Sequence, residues 1–388
     1  MTNLTTSTRS YYPALDGLRG IAILLVICCH NLDFLPHFEF GRVGVDLFFV
    51  LSGFLITDIL LNKRESKNFL QNFYIRRILK IFPLYYGVLL LFFVVAPALQ
   101  SLYTQYNYYH GHQALLWLHL QNWLSIIHRP PGDSMVLNHF WSLSVEEQFY
   151  LFWPFVILAI KDTRRLAQIA FAILITCILC RFSSWLSFGN NFTAFYFQYM
   201  THVDGICIGT LIALWRFSSH EQSKKKIIHL ALLAAGSYIL LFTLAKTVFH
   251  NLPTFPFLGY TMIAVIFGLI VFFAVEKRNI YSKLLLENPV LKFFGRISYG
   301  LYVYHWPILV LSKIYLLNIL VNHGFSQYSA YVTVSSMAIV VALIVSVLSY
   351  YLFERKLLGL KDVMTQEGFF ERAWKKLLLF FSPSSSRS

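Results

Sequence analysis

Long apolar runs dominate this chain and leave it little choice of environment. A hydrocarbon layer about 30 Å thick takes ~20 apolar residues of helix to cross. Runs of that kind occur at about 12–31, 42–61, 79–98, 143–160, 166–186, 195–216, 227–247, 257–275, 297–320 and 329–353. Inside lipid, each backbone N–H and C=O must find its partner within the segment, so such runs are helices. An all-α, polytopic integral membrane protein with about ten transmembrane helices is expected. Of the 388 residues, 57% are hydrophobic and only 13% charged, whereas soluble domains carry about 25% charge. That balance excludes a chain of soluble domains, and the aromatic content excludes disorder. The segment 114–127 is shorter and holds His119, Gln121 and Asn122, so it is expected to be re-entrant or interfacial.

Lysine and arginine mark cytoplasmic loops. With a cytoplasmic N-terminus, most of the 32 Lys and Arg residues fall on the inner side, and the outer loops 187–194, 248–256 and 321–328 hold none. Counting 114–127 as a span would invert every later loop. Ten spans with both termini cytoplasmic follow, and the net charge of +14 becomes an orientation signal with no nucleic-acid partner implied. The first run has no small-x-small cleavage site after it and contains Arg19, so it reads as a retained span. Residues 1–356 form one membrane domain. Residues 357–388 form a cytoplasmic tail whose segment 368–381 is basic and amphipathic. The five cysteines lie inside apolar runs and read as buried thiols.

An ionisable group within a span is costly, and so is a functional candidate by default. Arg19 and His30 in the first run are eleven residues apart. That spacing falls within about 20° of three full turns, which puts both on one helix face with roughly 16 Å between them. Glu146 and Glu147 open the fourth run near the expected depth of His30, with Ser142 one turn before Glu146. A histidine beside a carboxylate is the usual equipment for taking a proton from a hydroxyl nucleophile. The blander readings are a packing histidine and two acids serving as helix-dipole partners. Arg76, Arg77 and Lys80 lie within about one turn at the start of the third run. They suit phosphate binding and suit topology signalling and lipid contact equally well.

Further polar groups stand in the second run (Asp46, Ser52, Asp58), the sixth (His202, Asp204) and the ninth (Tyr302, Tyr304, His305). Gly205-x3-Gly209 reads as a helix-packing motif. His110, His112, His119, His128 and His139 in the segment 99–141 are irregularly spaced and lack cysteine partners, so no metal site is expected.

Several stretches together resemble the membrane acyltransferase-3 family. Ala14-Leu15-Asp16-Gly17-Leu18-Arg19-Gly20 leading to His30 is similar to its Arg-x10-His signature. The block from Gly44 to Thr57, the run Arg76-Arg77-x-x-Lys80 ending at Pro83, His139-x-Trp141-Ser142 with Glu146-Glu147-Gln148, and Ile297 to Tyr302 followed by His305-Trp306-Pro307 match further blocks in family order. The resemblance spans residues 11–356. It implies transfer of an acyl group, usually acetyl, from cytoplasmic acetyl-CoA to a hydroxyl of an extracytoplasmic glycan or glycolipid. The setting would be the inner membrane and its lipid, without a permanently bound cofactor.

On that resemblance His30 is catalytic, Glu146 or Glu147 supports it, and Arg19 positions the donor. Arg76, Arg77 and Lys80 would contact the CoA phosphates. Asp46, His139, Ser142, Asp204 and His305 become candidates for substrate binding. Lys80 and His202 stand where many members have arginine, and no SGNH hydrolase-like extension is expected. A secondary transporter using intramembrane His, Asp and Arg is the alternative. Against it, paired Gly- or Pro-broken helices are not seen in corresponding halves.

Overall fold

The computed structural model describes residues 11–32, 41–128, 130–131, 135–200, 202–218, 236, 259–275 and 280–365, and these contain no strand. Three helices open the chain: α1 (Pro13–Asn31), α2 (Val43–Lys63) and α3 (Phe69–Val95). Two short 3-10 turns lead to α4 (Tyr103–Gly111), α5 (Gln113–Trp117) and α6 (Gln121–Ile127). Then come α7 (Phe140–Ala159), α8 (Thr163–Met200), α9 (Asp204–Phe217), α10 (Tyr260–Val275) and α11 (Ile280–Leu286). The chain closes with α12 (Pro289–Asn322), α13 (Gln327–Ser349), a π-turn at Tyr350–Glu354 and α14 (Arg355–Met364).

Among the described residues six helices are long and apolar enough to cross a membrane: Pro13–Asn31, Val43–Lys63, Phe69–Ala98, Thr163–Arg181, Pro289–Asn322 and Gln327–Lys361. Their outward faces carry large apolar side chains, including Leu90, Leu91, Val94, Phe171, Val340 and Leu352. Water would penalise such a belt, whereas lipid accepts it. The run expected at 227–247 lies outside the described residues apart from Gly236, as does the amphipathic tail segment 368–381. The outer loop expected at 187–194 is helical backbone, because α8 runs on to Met200. No proline interrupts those residues, so nothing in the backbone stops the helix there.

Local signals explain several helix starts. Pro289 sits in the first turn of α12, where its missing N–H is no loss, and the Asn288 side chain caps the helix by accepting from Val290 N. Ser326 does the same for α13. The segment 114–127 does not span. His119, at φ 54°, breaks it into two short helices. Tyr85 and Tyr86 of α3 hold the first of them by donating to the carbonyls of Leu116 and Trp117 at 2.8 and 2.9 Å.

The closest helix pairings run through glycine. A Cβ on Gly209 of α9 would lie 2.0 Å from Val50 O of α2, and one on Gly53 of α2 would lie 2.0 Å from Ile206 O. The Gly205-x3-Gly209 packing reading therefore holds, and α2 and α9 meet backbone to backbone. Gly295 brings α12 equally close to Asp16 of α1. These contacts place α1 between α2 and α12, where its polar residues Asp16, Arg19 and His30 are half-buried. Of the cysteines, Cys180 is exposed on α8, unlike the buried Cys29, Cys177 and Cys207.

Candidate active site

The polar residues expected to act together fall into two tiers along α7. His139 caps its start, Ser142 follows one turn later, and Glu146 one turn after that. Seven residues of helix separate His139 from Glu146 by about 10 Å.

The tier at Glu146 opens into a cavity of about 90 Å³. One water needs roughly 10–15 Å³ on that measure, so there is room for several water-sized groups. Arg19 of α1, Arg77 and Lys80 of α3, and Glu146 and Glu147 of α7 all face it. Glu146 Oε1 accepts from Ser52 Oγ at 2.5 Å, and Ser52 Oγ accepts from Tyr150 OH at 2.8 Å. The Arg77 guanidinium stands 5.0 Å from the centre of the Tyr150 ring, in reach of a cation–π contact. Arg19 is tied to Asp16 Oδ1 at 3.1 Å, and Asp16 also accepts from Tyr11 OH.

Arg76 does not share this cavity. Adjacent residues on a helix point about 100° apart, and Arg76 reaches Thr365 Oγ1 at 3.4 Å, just past α14. The three expected cations therefore divide, two facing the cavity and one facing the C-terminal helix.

Ser142 and Tyr302 separate the two tiers. Ser142 Oγ hydrogen-bonds the Tyr302 hydroxyl, and both reach His139 O. Both residues line the cavity, while Tyr302 O faces the other tier, where it accepts from His305 Nδ1 at 2.8 Å. His30 Nδ1 lies 2.9 Å from His305 Nε2 with the two rings nearly parallel, and Trp306 packs edge-on against His30. His139 Nε2 reaches Val303 O at 3.2 Å, and its ring centre is 5.6 Å from that of His305.

Carboxylate support for His30 is thus not what the structure builds. The hydrogen-bond partner of His30 is His305, and Glu146 is engaged by Ser52. Sequence depth put the acids level with His30, but His139 occupies that level on α7 and Glu146 lies two turns along.

Asp46 and Asp204 belong to a separate buried cluster where α2, α8, α9 and α10 meet. His202 Nε2 lies 2.6 Å from Asp46 Oδ1, and Arg181 donates to Asp204 at 2.7 Å. Thr261 also donates to Asp204 at 2.8 Å. Apart from His202 Nδ1, which is buried without a hydrogen-bond partner among the described residues, these groups pair with one another, which suits holding helices together better than meeting a substrate. Arg181, with none of its surface exposed, was not singled out from the sequence. Its signal was a lone cation deep in the fifth apolar run.

Residues 12–351 match the family model described as an acyltransferase domain. The chain is 29% identical to the peptidoglycan O-acetyltransferase OatA of Listeria monocytogenes, over 80% of this chain and 51% of that protein. It is 30% identical to the putative peptidoglycan O-acetyltransferase YrhL of Bacillus subtilis, over 79% of this chain and 50% of that one. A putative O-acetyltransferase of Staphylococcus aureus aligns at 29% identity, over 77% of this chain and 51% of its own length. The chain spans about half the length of these curated relatives. No solved structure matches it.

Proposed function

Since the chain belongs to the acyltransferase-3 family and is an acyltransferase, we propose that it moves an acyl group, acetyl in the first instance, from cytoplasmic acyl-CoA to a hydroxyl of an extracytoplasmic glycan or glycolipid. The enzyme is multi-pass, with ten spans and both termini in the cytoplasm of a cell whose inner membrane it occupies. Peptidoglycan is the first acceptor to test, because the relatives above carry that name.

One observation carries this reading: a cavity faced by Arg19, Arg77 and Lys80, with the Ser142–Tyr302 pair between it and the His30 tier. The cations suit the phosphates of CoA, with Arg77 and Lys80 near the inner end of α3. A pantetheine arm running up the cavity would bring its thioester toward His30. His30 then takes the proton of the acceptor hydroxyl, the hydroxyl oxygen bonds to the thioester carbonyl carbon, and the C–S bond breaks. The proton passes from the imidazolium to the departing thiolate, so charge and atoms balance. Glu146 acts in the donor cavity, through Ser52 and the neighbouring cations.

The test uses the purified chain in proteoliposomes with labelled acetyl-CoA, offering peptidoglycan fragments and other glycans as acceptors. Acceptor-dependent release of free CoA, with label recovered on the glycan, is expected for wild type and not for His30→Ala. Wild-type transfer by His30→Ala would overturn the assignment of His30. Release of CoA that no acceptor stimulates would overturn the transfer reading.

A further inference from the structure

We propose that His305 is a positioning residue that holds His30 in its Nδ1–H tautomer, leaving the His30 Nε2 lone pair for the reaction. The role of that lone pair rests on the acyl-transfer reading above, but the tautomer itself does not.

The argument follows hydrogen-bond direction from the backbone outward. His305 Nδ1 lies 2.8 Å from Tyr302 O and 3.0 Å from Leu301 O. Carbonyl oxygens only accept, so the His305 proton sits on Nδ1. A neutral imidazole carrying Nδ1–H presents Nε2 as an acceptor. His305 Nε2 faces His30 Nδ1 at 2.9 Å, so His30 Nδ1 donates. The remaining His30 nitrogen, Nε2, is then unprotonated and able to accept a proton or an acyl group. His305 is buried, and an imidazolium there without a paired anion is costly, which keeps the His305 ring neutral and its Nε2 an acceptor.

His305 therefore fills the place that a carboxylate holds in a Ser-His-Asp arrangement: it fixes tautomer and ring orientation. It does so without adding negative charge. The two carbonyls that anchor it belong to its own helix, one turn back, so the bonds that fix its proton come from α12 itself. The nearly parallel rings of His30 and His305, 2° apart with centres at 5.2 Å, hold the donor and acceptor nitrogens opposed.

Nitrogen-15 NMR of histidine-labelled protein in nanodiscs reads the tautomer directly, with the His30 signals assigned by their loss in His30→Asn. A protonated Nδ1 and an unprotonated Nε2 are expected in wild type, changing to a tautomer mixture in His305→Leu. Transfer assays provide the second arm. His305→Gln places an amide oxygen near the Nε2 position and keeps an acceptor for His30, so kcat is expected within about tenfold of wild type. His305→Leu removes the acceptor, and kcat is expected to fall by ~10²-fold or more, with the KM for acetyl-CoA unchanged. A wild-type Nε2–H tautomer, or a folded Gln variant as impaired as Leu, would overturn the proposal. Full activity in His30→Ala would instead remove the acyl-transfer role and leave the tautomer result standing.

Discussion

His139 Nε2 donates to Val303 O across 3.2 Å, joining the start of α7 to the middle of α12. That carbonyl is available because Pro307, four residues on, has no N–H to offer it. A proline inside a transmembrane helix thus creates an acceptor that the neighbouring helix uses. The same stretch carries His305, so the sequence His305-Trp306-Pro307 provides both the ring that meets His30 and the docking point for His139.

His139→Leu should leave Val303 O buried without this partner and lower stability by about 1–3 kcal/mol. Pro307→Ala restores a main-chain N–H, so it should recover part of that loss in the double variant. Thermal midpoints of the four proteins in one detergent form a double-mutant cycle. Strictly additive midpoints would show that the two positions do not share this carbonyl.

Arg76 and Arg77 are adjacent in sequence and differ in surroundings, which separates phosphate binding from topology signalling. Arg77 faces the cavity and Arg76 reaches Thr365. Arg77→Ala should raise the KM for acetyl-CoA by about tenfold or more, the loss of one charge-assisted contact. Arg76→Ala should change it by less than about threefold. Initial rates across donor concentration decide the matter, and equal effects would mean that the cavity is not the donor site.

Much of the fold was legible because hydropathy and glycine spacing act through backbone geometry. Among the described residues the apolar runs became helices, and Gly205-x3-Gly209 became the close contact of α9 with α2. The interruption at 114–127 was legible too, since His119, Gln121 and Asn122 are buried only with polar partners supplied by the fold. Gln121, for example, donates to Leu137 O, and Gln148 donates to His119 O and Asn122 Oδ1. Which polar groups meet across helices was less legible. Periodicity places Arg19 and His30 on one face of α1, but helix rotation and vertical offset decide their partners. Those offsets paired His30 with His305 and moved Glu146 two turns away, to Ser52. Arg181 escaped notice because an isolated cation in an apolar run says nothing of the acid it will find.

Arg181 and Asp204 form a buried pair further held by Thr261. Removing one partner strands the other charge, which costs about 3–5 kcal/mol where burial is complete. Arg181→Met and Asp204→Asn should therefore both lower the thermal midpoint sharply. The double variant should be less destabilised than the sum of the two, because neither charge is then left alone. The acetyl-CoA KM of whatever folded protein remains should match wild type, since the cluster lies apart from the cavity. A raised KM at normal stability would instead place Asp204 in substrate binding.

Glu146 and His305 offer the sharpest test of the two-tier arrangement. Groups that act on one atom as a unit are strongly non-additive, as catalytic triads are. Groups more than about 7–10 Å apart without shared partners add to within ~0.5 kcal/mol. Glu146 hydrogen-bonds Ser52 and His305 hydrogen-bonds His30, with about two helical turns between the tiers. Glu146→Gln alone should reduce kcat/KM chiefly through the donor, because the carboxylate that fixes Ser52 and the neighbouring cations around the cavity is lost. His305→Gln should act on kcat. The double variant should then show the product of the two losses in kcat/KM. A double variant no worse than Glu146→Gln would mean that the carboxylate and His305 both act through His30, and that the tiers close together during turnover.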